Sequence, residues 1–248
     1  MTPLKGLLRP ILDKTYLKGL LNKTNQQGQN STVITDPATI ETFKRDPDHT
    51  LLVSFPRTGS HWLRMLMELY FGRPSLVRVF YYPEKTDYLT LHTHDLELDA
   101  ECRSVIYLYR DPVNTIYSQL RYHKEDMDNR ERIAYWSDLY GRHLDKWLHQ
   151  ERFTRKKTIV RYERFKEPGY EEFRKICDHF NEPFEKGRLD LAMNRVSKEH
   201  VQEKTVHDQQ VVNLTRQYAE ERKRFHDRQG EFVWQVLFDN RERLRKDL

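Results

Sequence analysis

The sequence predicts an α/β fold in which helices flank a mainly parallel central sheet. Three observations carry this reading. Short apolar runs end at a proline or a polar turn, and each is followed by a segment whose apolar residues recur at helical spacing. The chain of 248 residues is also long enough for one ample core covered on both faces.

The first predicted strand is Leu51-Leu52-Val53-Ser54-Phe55, which ends at Pro56, where the ring nitrogen has no hydrogen to give a sheet ladder. Further on, Trp62, Leu63, Met65, Leu66, Leu69 and Tyr70 form one helical stripe, with Arg64 and Glu68 off it. Between them, Arg57-Thr58-Gly59-Ser60-His61 is a strand-to-helix turn. Gly59 supplies backbone angles closed to other residues, and the hydroxyls of Thr58 and Ser60 are placed to cap the helix or to bind an anion. A helix start with unpaired N–H groups beside an arginine is a phosphate site. The G-x-x-x-x-G-K-[ST] spacing of nucleoside triphosphatases is not met, since the stretch has one glycine and no lysine after it.

The next strand reading is Tyr88 to Thr93, with His92-Thr93-His94-Asp95 at its end, where open α/β sheets place their ligands. A third apolar strand, from Ser104, stops at Arg110. There Asp111-Pro112 gives an N-cap and a first-turn proline to a helix with Val113, Ile116, Tyr117 and Leu120 as its stripe. Arg110 and Ser118, two turns into that helix, are predicted to converge on one oxyanion. Beyond about residue 185 the chain reads as helical and highly charged, with Phe232, Val233, Val236 and Leu237 as a packing stripe.

Together these motifs resemble the sulfotransferases that use 3′-phosphoadenosine 5′-phosphosulfate (PAPS). "SFPRTGSHW" is similar to their 5′-phosphosulfate loop Y-P-K-S-G-T-T-W, and "YRDPVNTIYS" to their 3′-phosphate motif R-N-P-x-D-x-x-x-S. "TIVRYERF" at 158–165 resembles the strand ending F-Y-E-D-L, and the aromatic helix at 135–148 also has the family's look. The resemblance spans about residues 50–200 and implies the P-loop-NTPase-like sulfotransferase fold. It also implies that Arg57, Thr58, Gly59, Ser60, His61 and Trp62 surround the 5′-phosphosulfate and adenosine end, that Arg110 and Ser118 hold the 3′-phosphate, and that Tyr162 lies near the adenine. By resemblance to K-T-H-L-P, His94 aligns with the catalytic histidine and His92 with the lysine two places before it. Glu97 and Glu68 are kept as alternative bases, since some branches use a glutamate.

Two departures stand out. Arg57 replaces a lysine and cannot readily donate a proton. His61 replaces a hydroxyl residue. The C-terminal R-K-G-x-x-G-x-W pattern is missing, and "EERKRF" at 220–225 offers Arg222, Lys223 or Arg224 to the 3′-phosphate, or is a solvated basic face. On the acceptor side, Tyr122 or His123 is expected at the entrance, with Trp136 and Trp147 mainly packing.

A net charge of +5 suits a multiply anionic donor, and equally nucleic acid or an anionic membrane. The implied activity is transfer of a sulfuryl group to a hydroxyl or amine acceptor, a carbohydrate or glycolipid among them. The alternatives are a nucleotide-kinase-like phosphotransferase, which would want a Walker lysine and an acidic magnesium ligand, and a basic nucleic-acid or membrane-binding module. No metal spacing occurs, and neither a metal nor nucleic acid is expected as a partner. Cys102 and Cys177 read as free thiols of a reducing, cytoplasmic compartment. Residues 1–32 read as a basic amphipathic segment and polar linker, and 33–248 as a single catalytic domain. The 4–21 stretch suits peripheral contact with a membrane, or packing onto the protein itself or a partner subunit. No apolar run approaches the roughly eighteen residues of a spanning helix.

Overall fold

The computed structural model describes residues 32–34, 36–46, 48–152, 154–165, 169–205 and 216–248. The amphipathic segment expected at 4–21, and the linker up to residue 31, lie outside them. The described chain runs β1 (Thr32–Val33), α1 (Pro37–Arg45), β2 (Thr50–Ser54), α2 (Ser60–Phe71), β3 (Ser75–Leu76), β4 (Arg78–Val79), β5 (Thr90–Thr93) and β6 (Ser104–Tyr109). It continues through α3 (Pro112–His123), α4 (Arg130–His149), β7 (Lys156–Arg161), α5 (Tyr170–Phe180), α6 (Lys186–Arg195), α7 (Lys198–Lys204) and α8 (Arg216–Phe238). Short 3-10 turns cover Tyr162–Phe165 and Glu242–Lys246.

Five strands form a sheet in the order β3-β5-β2-β6-β7, and every pairing in it is parallel. The central strand β2 is buried along its whole length, as a parallel strand covered on both faces must be. Its side chains alternate between two cores. Leu51, Val53 and Phe55, with Val105 and Tyr107 of β6, pack under α3, α4 and α8. Leu52, Ile106, Leu108 and Val160 pack under α2, α5, α6 and α7. A separate antiparallel ladder joins β1 to β4, with Val33 opposite Arg78.

The chain leaves β2 for α2 on one face and leaves β6 for α3 on the other. Both exits therefore open onto one crevice at the carboxyl ends of adjacent strands, the place where this sheet architecture binds ligands. The strand expected from Tyr88 begins only at Thr90, because its neighbour β3 supplies two residues of ladder, Ser75 and Leu76.

Arg64 and Glu68, expected off the packed stripe of α2, are buried. The Glu68 carboxylate accepts hydrogen bonds from the backbone N–H groups of Ser75, Phe80 and Tyr81 at 3.0, 3.0 and 2.8 Å. Arg64 donates to the carbonyls of Leu76 and Arg78. The polar face of α2 thus does the work of a sheet edge for the irregular 75–81 segment, and Glu68 is committed to it. Glu68→Leu leaves three buried N–H groups unpaired, and should lower unfolding stability by about 3 kcal/mol or more in denaturant titrations. Glu68→Gln, which keeps an acceptor oxygen, should cost distinctly less.

Candidate active site

The turn between β2 and α2 is made by two residues with left-handed backbone, Arg57 at φ 71° and Gly59 at φ 101°. Gly59 is required twice over. A Cβ there would also stand 2.5 Å from the ring of Tyr162, which covers the turn. Of the two roles expected of Thr58 and Ser60, capping α2 or binding an anion, the first is not taken: Gly59 is the N-cap, without a side-chain bond, and the Thr58 hydroxyl donates to the Phe55 carbonyl at 2.7 Å. The first N–H groups of α2 are left without a capping acceptor, with Ser60 buried in that same turn. Trp62 donates its indole N–H to the Val196 carbonyl at 3.1 Å and meets Tyr162 and Phe165 edge-on.

Arg110 ends β6 and ties the two exits together. Its backbone is clamped by the Tyr140 hydroxyl, which accepts from the Arg110 N–H at 3.1 Å and donates to the Arg110 carbonyl at 2.7 Å. Its guanidinium donates to the Arg57 carbonyl at 3.1 Å, lies 5.0 Å over the Tyr162 ring and is 3.9 Å from Glu163. Asp111 caps α3 by accepting from the Asn114 N–H at 2.8 Å, as the sequence predicts. Ser118 is buried, donates to the Asn114 carbonyl at 2.8 Å and lies 3.3 Å from the Tyr218 hydroxyl of α8. Arg121 and Arg222 lie over the Tyr218 ring at 5.4 and 5.9 Å, whereas Lys223 and Arg224 are exposed. Tyr218 has no sequence signal, since it lies about a hundred residues from the α3 side chain it meets.

His92 and His94 face the same side, as the strand alternation predicts, and their ring centroids are 4.6 Å apart, edge to face. Both are held by Ser54, the last residue of β2. The Ser54 hydroxyl is 2.9 Å from His92 Nε2, and the Ser54 carbonyl accepts from His94 Nδ1 at 2.8 Å. A carbonyl cannot donate, so the proton of the neutral His94 ring sits on Nδ1 and Nε2 is its basic position. Burial pushes His94 down to about 4, so it is unprotonated at neutral pH. His92 is held well below its usual range, first by burial and then by the charge of His94.

Behind them, α4 fixes the backbone. His143 Nε2 donates to the His94 carbonyl at 2.9 Å, and the Tyr107 hydroxyl completes the ring's bonding at Nδ1, 3.0 Å away. Asp95, at φ 43°, accepts from Lys146 at 2.7 Å and from the Trp147 indole at 2.9 Å. Trp147 is therefore more than packing. So is Trp136, which donates to Glu125 at 2.8 Å and stacks on His123. The Arg57 guanidinium lies 4.9 Å over the ring of Tyr122, which is 41% exposed, so Tyr122, expected at the acceptor entrance, adjoins the 56–61 turn.

A family model described as a sulfotransferase domain matches residues 90–247, more than half of the chain. The chain belongs to that sulfotransferase family. The matched stretch of this sulfotransferase domain contains His92, His94, Arg110, Ser118 and Tyr162, and begins after the 56–61 turn. No curated protein matches it. Among solved structures it is similar to a mouse sulfotransferase, SULT7A1, complexed with PAP, at 15% identity and a TM-score of 0.53, covering 84% of this chain and 90% of that one. It is also similar to a retinol dehydratase in complex with androsterone and the inactive cofactor PAP, at 11% identity and a TM-score of 0.48, covering 76% of this chain and 82% of that one. The mouse structure establishes the P-loop-NTPase-like sulfotransferase fold. Among the described residues no group of three or more His, Cys, Asp or Glu is arranged to hold a metal ion, and no helix is long and apolar enough to cross a membrane.

The histidines of this sulfotransferase domain set its response to acid. Burial depresses His61, His92, His94, His143 and His179, the last three to about 4, 3 and 4. The unfolded rings protonate below their ordinary value near 6.5, while the folded ones stay neutral to far lower pH. Unfolding therefore takes up protons, and stability falls as pH drops from about 6.5 toward 4. Denaturant titrations across that window should give an uptake of about three protons or more near pH 5. A flat profile would contradict the buried, neutral assignment.

Proposed function

We propose that this domain transfers the sulfuryl group of PAPS to an acceptor hydroxyl or amine and releases adenosine 3′,5′-bisphosphate. The observation that carries the reading is Arg110, whose guanidinium is bonded to the Arg57 carbonyl and laid over Tyr162. That single side chain joins two anion-binding strand exits, and a neutral histidine adjoins them. The donor set fits a nucleotide with phosphates at both ends. Arg57 and the uncapped N–H groups of α2 suit the 5′-phosphosulfate, together with Thr58, Ser60 and His61. Arg110 and Ser118 suit the 3′-phosphate, with Arg121 and Arg222 beside Tyr218 as further cations. The rings of Tyr162 and Trp62 suit the adenine.

PAPS would supply a sulfuryl group already activated by its bond to phosphate. The chain's task is then position and charge. Arg57 offsets negative charge growing on the departing phosphate and stays charged, so it holds that charge without passing a proton to it. His94 Nε2 takes the acceptor's proton, its ring aimed by the Ser54 carbonyl and its backbone by His143. His92, anchored on the Ser54 hydroxyl, supports the leaving-group side. Two buried free cysteines suit the reducing, cytoplasmic setting inferred from the sequence. We also assign residues 33–248 to one catalytic domain, with the 4–21 segment as its contact to a membrane surface.

Thermal shifts test the donor. Adenosine 3′,5′-bisphosphate should raise the melting temperature well above ATP, ADP or AMP at equal concentration, since a ligand specific for the fold stabilises it by mass action. Arg110→Ala should weaken the bisphosphate far more than AMP, because only the bisphosphate loses an arginine contact. Equal losses would refute the 3′-phosphate assignment, and a preference for ATP would favour kinase-like chemistry. For the base, His94→Ala should lower turnover by about a hundredfold or more with bisphosphate affinity nearly unchanged. Near-normal turnover, with collapse instead in His92→Ala or Glu97→Gln, would transfer the role.

A further inference from the structure

His61 sits in the first turn of α2, its ring edge-on to Phe80 with centroids 5.7 Å apart. Its Nε2 lies 3.1 Å from Nη1 of Arg78 on β4. A guanidinium has only donors, so Nε2 is the acceptor of that bond. A neutral imidazole that accepts at Nε2 carries its proton on Nδ1. Burial first, then the charges of Arg78 and Arg64, keep the ring neutral well below its usual range. Among the described residues His61 Nδ1 has no hydrogen-bond partner, and Arg78 makes no ion pair. His61 follows Arg57 and Gly59 in the same strand-to-helix turn, and the charges of Arg57 and His94 act on its ring.

We propose that Arg78 is a positioning residue that locks His61 in the Nδ1–H tautomer, making the ring a fixed hydrogen-bond donor to the 5′-phosphate that departs when the sulfuryl group leaves. The inference rests on the PAPS reading above and answers a question that the reading leaves open. Loops of the resembling pattern carry a hydroxyl where this chain has His61, and a hydroxyl rotates to meet its acceptor. An imidazole does not, and with the wrong tautomer it would turn a lone pair toward an anion. A cation fixed behind the ring prevents that and polarises the Nδ1–H bond. Arg78 is itself held in place, because β4 pairs with β1 and the Arg78 carbonyl receives Arg64.

The test combines nitrogen-15 NMR of the histidine rings with a double-mutant cycle on adenosine 3′,5′-bisphosphate affinity. In the wild-type protein the His61 ring should show the Nδ1–H tautomer, and its Nδ1 resonance should move when the bisphosphate is added. Arg78→Met should release the tautomer and weaken the bisphosphate about tenfold, the worth of one charge-assisted bond. Arg78→Lys, which can still donate to Nε2, should restore both. In a His61→Thr background, Arg78→Met should have little further effect. An Nε2–H tautomer in the wild type, or equal losses from Arg78→Met in both backgrounds, overturns the proposal, the latter by showing that Arg78 acts on the ligand directly. Failure of the wild type to bind the bisphosphate at all overturns the donor reading itself, and is distinguished by being seen before any variant is made.

Discussion

One buried face of α4 is the constraint on which the crevice depends. Tyr140, His143 and Trp147 lie three and four residues apart on that helix, and so share one side of it. Tyr140 clamps both backbone groups of Arg110, His143 grips the carbonyl of His94, and Trp147 with its neighbour Lys146 holds the Asp95 carboxylate. The ends of β5 and β6 are adjacent to β2 on opposite sides, and each would otherwise be a free loop. A single rigid helix registers them against each other. The bonds of Tyr140 and His143 go to the backbone, so they fix where the Arg110 and His94 side chains start.

The second constraint is electrostatic. The charges of Arg57 and Arg64 act on His61 and His94, and those of Arg64 and Arg78 on His61 and His92. Burial is the first cause that keeps His61, His92 and His94 neutral, and nearby arginine charges act in the same direction. The rings are thereby unprotonated at neutral pH, where an ordinary surface histidine would be partly protonated.

The local motifs were legible because they rest on short-range chemistry. Asp111 and Pro112 start a helix wherever they stand before an apolar stripe, and Gly59 permits a turn that no other residue permits at φ 101°. Thr58 does not cap α2, because Gly59 takes the N-cap position and the turn directs the Thr58 hydroxyl to donate to the Phe55 carbonyl. Arg64 and Glu68 stand off the apolar stripe, and nothing in a helical stripe tells a solvated polar face from one that hydrogen-bonds an irregular strand.

By itself the sequence determined the α/β class, the two strand-to-helix turns, and the identity of the residues around them, since these follow from spacing, caps and the backbone limits of glycine and proline. Only the tertiary structure decided which ring atom of His94 and of His61 faces an acceptor or a donor, because that depends on partners elsewhere in the chain: the Ser54 carbonyl for His94 and the Arg78 guanidinium for His61. It alone brought Tyr218 to Ser118 and Tyr140 to Arg110. A hydrogen bond between residues tens of positions apart leaves no periodic trace in sequence, and the burial that shifts a titrating group exists only once the helices have closed over the sheet.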